Sequence, residues 1–106
     1  MTFSAPRMKQ LTIVTRPRYE RDLGRFLHSG QAKKLLPKLR ETILCLQRRQ
    51  SLPASLRDHA LKGRLKHLRE CHIDHDLLLV YEIVEDRLEL FLLRLCHHDE
   101  LKKIAM

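Results

Sequence analysis

Residues 61–101 read LKGRLKHLRECHIDHDLLLVYEIVEDRLELFLLRLCHHDEL, and this stretch decides the fold. Leu77–Val84 (LLLVYEIV) and Leu88–Leu95 (LELFLLRL) are strand-length apolar runs bounded by charged residues. Glu85-Asp86 between them predicts a two-residue hairpin turn, although not of the favoured Asn-Gly type. Leu65–Cys71 predicts the strand before them, joined through the tight link Ile73-Asp74-His75. The result is a three-stranded antiparallel unit. Six of the seven histidines, His59, His67, His72, His75, His97 and His98, lie in or just before residues 61–101.

Counting residues through the turns gives the unit a direction. If Glu85-Asp86 forms the turn, Leu77 faces Arg94, and Glu82 faces Glu89, which is unfavourable. A one-residue slip relieves that clash and puts Arg94 opposite Asp76 or Leu78. Either register predicts Arg94 level with residues 76–78. His72 is held beside Asp76 by the short link, and His98 lies four residues past Arg94. His72, Asp76, Arg94 and His98 are therefore expected at one end of the sheet, with His67 in mid-strand facing solvent.

Upstream, Leu11–Thr15 (LTIVT) has the β-branched composition of a short strand. Thr15-Arg16-Pro17 predicts a helix start, with a capping hydroxyl and Pro in the first turn. Tyr19, Leu23, Phe26 and Leu27 form its apolar face, and His28-Ser29-Gly30 ends it. Leu35, Leu36, Leu39, Ile43 and Leu46 form a second helical face. Pro37 means either that this helix starts near Leu35 or that it starts earlier and kinks. The short connection predicts an antiparallel helix pair, with Lys33, Lys34, Lys38, Arg40, Arg48 and Arg49 on or near the outside of the second helix. Residues 49–58 read as a loop and residues 1–10 as a tail. The whole 106-residue chain reads as a single α+β domain, with no repeat and no second unit.

The net charge is +8, unevenly spread. Residues 1–50 carry 12 Lys and Arg against 3 Asp and Glu, while residues 73–106 carry 4 against 8. A polyanion, nucleic acid or an acidic protein segment, is the natural partner of the basic portion. Lys62, Arg64, Lys66 and Arg69, just before the His cluster, are the candidate RNA contacts, together with His97. The three cysteines lack paired spacing and do not read as a disulfide framework. Cys71-His72-x-x-His75 and Cys96-His97-His98 raise a zinc reading, but the spacing matches no standard finger or ribbon, so no metal is assigned. No secretory leader or membrane-spanning run is read in the chain, and a reducing cytoplasm is expected.

The expected cluster suits one reaction. RNA cleaves when its 2′-oxygen attacks the adjacent phosphorus. Catalysis needs a base for the 2′-proton, positive charge at the phosphoryl oxygens and an acid for the 5′-oxygen. Histidine serves either proton transfer near neutrality, and the arginine fork matches phosphate. No cofactor is needed, and use of the 2′-hydroxyl selects RNA over DNA.

The motifs Asp58-His59-x-Leu61-x-Gly63, Arg69-x-x-His72-x-x-x-Asp76, Val80-Tyr81 and Arg94-x-x-x-His98-x-x-Leu101 resemble the YafQ-like branch of the RelE/ParE toxin superfamily. The element order, a strand, two helices and a three-stranded unit completing a small twisted sheet, is similar to the RelE-like fold. The resemblance implies a bacterial type II toxin that cuts message in the ribosomal A site, without metal, and is neutralised by a cognate antitoxin. It implies a catalytic set of His59, His72, Asp76, Arg94 and His98. In that set His98 is the general acid, Arg94 holds the phosphate, and His59, His72 and Asp76 share base and orienting roles. The inclusion of His59 rests on the resemblance alone. Leu77 and Lys102 stand where this branch commonly has aromatic residues, which makes His97 a candidate stacking platform. Two alternatives remain: a ParE-like gyrase inhibitor of the same fold, and an RNA-binding module with a decayed site.

Overall fold

The computed structural model describes residues 10–100. The expected tail (1–10) thus lies almost wholly outside the described residues, as does the end of the chain beyond Glu100. The elements are β1 (Thr12–Thr15), α1 (Pro17–Leu27), α2 (Ala32–Gln47), β2 (His59–Ala60), β3 (Arg69–His72), β4 (Leu77–Val84) and β5 (Glu89–His97). They form an α+β domain with one five-stranded sheet in the order β1-β5-β4-β3-β2. Only β1 and β5 run parallel; the other neighbours are antiparallel.

β4 is central and buried on both faces, which is why Leu77–Tyr81 is continuously apolar instead of alternating. Leu77, Leu79 and Tyr81 pack with Tyr19 and Phe26 of α1 and with Leu35, Leu39 and Leu46 of α2. Leu78 and Val80 point to the opposite face, where Leu68 and Cys96 bury them beneath Leu61, Leu65 and Leu93. Each fully buried Leu contributes about 1.5–3 kcal/mol. The residues after β2 cover this second face, so neither side of the central strand is left open.

Pro17 occupies the first turn of α1, but no side chain caps the helix; the Thr15 hydroxyl donates to Glu20 instead. α2 begins at Ala32, so Pro37 lies inside the helix on its exposed side. Pro37 cannot donate to the Lys33 carbonyl, and solvent can replace that bond.

Three expectations about the sheet are corrected. The strand expected over Leu65–Cys71 is Arg69–His72, because residues 63–65 form a 3₁₀ turn entered by Gly63 at φ 66°. His67 consequently lies in an exposed turn rather than mid-strand. The β4–β5 turn is also longer than two residues: Glu85–Arg87 form a 3₁₀ turn, and Leu88 closes it at φ 52°. Finally, Tyr81 pairs with Leu92 and Val80 with Arg94, so Leu93 is a bulge. Together these put Arg94 opposite Val80, away from residues 76–78, and Glu82 opposite Phe91.

Candidate active site

The β3–β4 link turns on Ile73, which is fully buried; its amide and that of Asp74 both donate to the Leu77 carbonyl, at 2.8 and 3.3 Å. The anchored turn projects His72, Asp74, His75 and Asp76 at one end of the sheet. β5 ends alongside, and the chain becomes helical at His98. Asp76 binds this junction with both oxygens. One accepts the His98 amide at 3.3 Å, and the other lies 3.2 Å from His97 Nδ1. The His72 and His98 rings meet edge to face, with centroids 5.9 Å apart.

These residues line a cavity of about 450 Å³ shared by His72, Asp74, His75, Asp76, His98, Lys38, Ser55 and Arg57. The structure therefore brings His72, Asp76 and His98 together, as the turns suggested. It also adds two cations that sequence reasoning missed. Lys38 comes from α2, whose partly exposed basic face gave no hint of this neighbour. Arg57 follows the Ala54–Leu56 turn at φ 52°, a left-handed conformation that disfavours a residue with a Cβ.

Arg94 lies elsewhere. Its Nε donates to Asp22 Oδ2 at 2.7 Å and its Nη2 to Oδ1 at 3.3 Å. Asp22 is only 3% exposed, and it also accepts the Leu95 amide at 2.9 Å and Arg25 Nη2 at 2.8 Å. The reason is topological. β1 pairs with β5 only as far as Leu92, so α1 covers the edge beyond it and Asp22 satisfies the exposed amide. Burial alone would raise the Asp22 carboxyl, but the bonds from Arg94, Leu95 and Arg25 outweigh it and hold the carboxyl below its usual range. Asp22 was legible as an anomaly: it sits between Tyr19 and Phe26 on the apolar stripe of α1.

His59 pairs across β2–β3 with Glu70, whose side chain is nearly buried. Its Nε2 is 3.0 Å from Glu70 Oε1 and its Nδ1 is 2.7 Å from the Arg57 carbonyl. His59 thus fastens the segment that presents Arg57. Nearby, Asp58 accepts from the Tyr81 hydroxyl and from Arg69, which is 3.0 Å away. Burial, then the bond to Asp58, pushes the Tyr81 hydroxyl far above its ordinary value. Arg69 is therefore tied into a structural network, while Lys62, Arg64 and Lys66 are exposed. His97 is exposed beside Asp76. Cys71 and Cys96 are buried in clusters on opposite sheet faces, which removes the basis for joining their motifs around one zinc ion.

The family model described as the bacterial toxin of type II toxin–antitoxin systems, YafQ, matches residues 11–103, and the chain belongs to this family. A Haemophilus influenzae protein bearing the toxin name YafQ is 36% identical over 76 residues, 72% of this chain and 74% of that protein. A metal-bound toxin from Helicobacter pylori superposes with a TM-score of 0.78 at 42% identity, covering 86% of this chain and 98% of the other. YafQ in the Escherichia coli DinJ–YafQ complex gives 0.73 at 27%, covering 87% and 97%. The RelE-like fold and the YafQ branch are thereby established, and the chain is a toxin of a type II system.

Proposed function

We propose that this toxin is an endoribonuclease that cleaves message on the ribosome by acid–base chemistry of its own side chains, without a metal. The observation that carries the reading is the meeting of His72 and His98, ring centroids 5.9 Å apart, in a cavity that also holds Lys38 and Arg57. His72 is the candidate base, since Asp76 is occupied with the His97 ring and the His98 amide, and His59 with Arg57 and Glu70. It removes the 2′-proton as the 2′-oxygen bonds to phosphorus. Lys38 and Arg57 offset charge at the phosphoryl oxygens. The bond from phosphorus to the 5′-oxygen then breaks, and His98 gives that oxygen a proton. The products are a 2′,3′-cyclic phosphate and a 5′-hydroxyl end. Asp76 orients the junction, His59 positions Arg57, and Arg94 supplies positive charge to backbone phosphate outside the His cavity.

The partner is a cognate antitoxin, as in the Escherichia coli complex, and an acidic amphipathic segment suits the basic helices. The cytoplasm is the compartment in which such a pair meets translating ribosomes. Induced expression followed by primer extension on an abundant message tests the reading. Cuts within translated codons that vanish with His98→Ala support it. Growth arrest with double-strand DNA breaks and intact message would overturn it in favour of gyrase inhibition.

A further inference from the structure

A second cavity, of about 680 Å³, lies along α1 and is lined by Arg18, Arg21, Asp22, Gly24, Arg25, His28 and Arg94. Positions 18, 21, 25 and 28 recur at helical spacing and so share one face. The single carboxylate, Asp22, is buried and already accepts from three groups. Glu100 offsets part of the charge, 3.5 Å from Arg25 and 4.0 Å from Arg94. Among the described residues, Arg18 and Arg21 form no ion pair. Gly24, in mid-helix, has nothing within 4 Å of where a Cβ would stand, so packing does not require it. Its bare backbone keeps the cavity open although glycine weakens a helix.

We propose that this cavity is a binding tract for the phosphodiester backbone of single-stranded RNA, continuous with the His site; this rests on the nuclease reading above. Six of its seven lining residues carry charged or ionisable side chains, and four of these are arginines, a composition suited to an anionic backbone. Its cations are mostly arginines, whose planar forks match phosphate oxygens. Arg94 lies on β5, which runs on to His97, three residues or about 10 Å away at strand rise, and so leads to the His98 end of the sheet. A strand of a few nucleotides spans that interval, with its scissile phosphate between His72 and His98 and a flanking phosphate at Arg94.

The test is fluorescence anisotropy with a short 2′-O-methyl RNA, which binds but cannot be cut, over a series of salt concentrations. Arg18→Gln/Arg21→Gln is compared with Lys33→Gln/Lys34→Gln, an equal charge loss on exposed residues of α2. Losing two phosphate contacts lowers the slope of log K against log salt by about 1.4, at ~0.7 per contact for single strands. The tract predicts that drop for the arginine pair and a much smaller one for the lysine pair. Gly24→Gln, which fills the cavity without changing charge, weakens binding as well. Equal slopes for the two pairs would overturn the proposal, as would loss of binding to an acidic antitoxin peptide with RNA binding intact. Because the probe is uncleavable, a failed cleavage assay with the predicted slope change would remove the nuclease reading and leave the RNA tract standing.

Discussion

Asp22 and Arg94, 72 positions apart in the chain, are joined by two hydrogen bonds, from Nε at 2.7 Å and Nη2 at 3.3 Å. The pair fastens α1 to the free edge of β5 and fixes the guanidinium outside the His cavity. Asp22→Asn keeps the shape but leaves Arg94, whose side chain is only 12% exposed, with only Glu100, 4.0 Å away, to offset its charge. Unfolding in urea at pH 7 is expected to show a loss of about 3 kcal/mol. The pH dependence follows from the depressed Asp22 carboxyl. The unfolded chain takes up its proton first as pH falls, so this stabilisation is complete above the unfolded-state value. It is lost as pH falls through the lower folded-state value. The gap between the parent and Asp22→Asn should therefore narrow in acid. A gap unchanged from pH 7 to pH 3 would refute the ion pair as its source.

His59 is expected to act by positioning. His59→Ala leaves Glu70 buried without its partner and frees the Arg57 carbonyl. A stability loss of about 1–3 kcal/mol is predicted. Cleavage should fall less than with His98→Ala, and Glu70→Gln combined with His59→Ala should recover much of the stability. Full loss of cleavage at unchanged stability would instead place His59 in the chemistry.

Thiol reactivity checks the packing of the two sheet faces. Burial pushes the Cys71 thiol up to about 12 and the Cys96 thiol up to about 11, while Cys45 is half-buried at the surface of α2. Because the thiolate is the reactive form, Ellman's reagent at pH 8 should modify Cys45 first and the other two only on unfolding. Equal rates for all three cysteines would contradict the packing on both faces.

The two helices, β1, β4 and β5 were legible because their apolar positions repeat at helical spacing or run unbroken at strand length. The hairpin register was not. It depends on Leu88 in a left-handed conformation and on the bulge at Leu93, and neither position carries Gly or Asn to announce it. Convergence of His72, Asp76 and His98 survived that error because Ile73 and Leu77 pin one short turn and β5 simply continues to the same end. Arg94 did not, since a slip of a few residues moves a side chain from one cavity to another. Lys38 and Arg57 reach the His cavity only through packing of α2 and the loop against the sheet, which local sequence does not encode.

The chemistry of the cut ends tests the central claim most directly. Purified toxin, added to ribosomes paused on a defined message, should release an upstream fragment ending in a 2′,3′-cyclic phosphate and a downstream fragment beginning with a 5′-hydroxyl. His98→Ala and His72→Ala should each slow that cut by about 10²–10⁴-fold. Fragments carrying a 3′-hydroxyl and a 5′-phosphate, or cutting unaffected by both substitutions, would contradict attack by the 2′-oxygen between these two histidines.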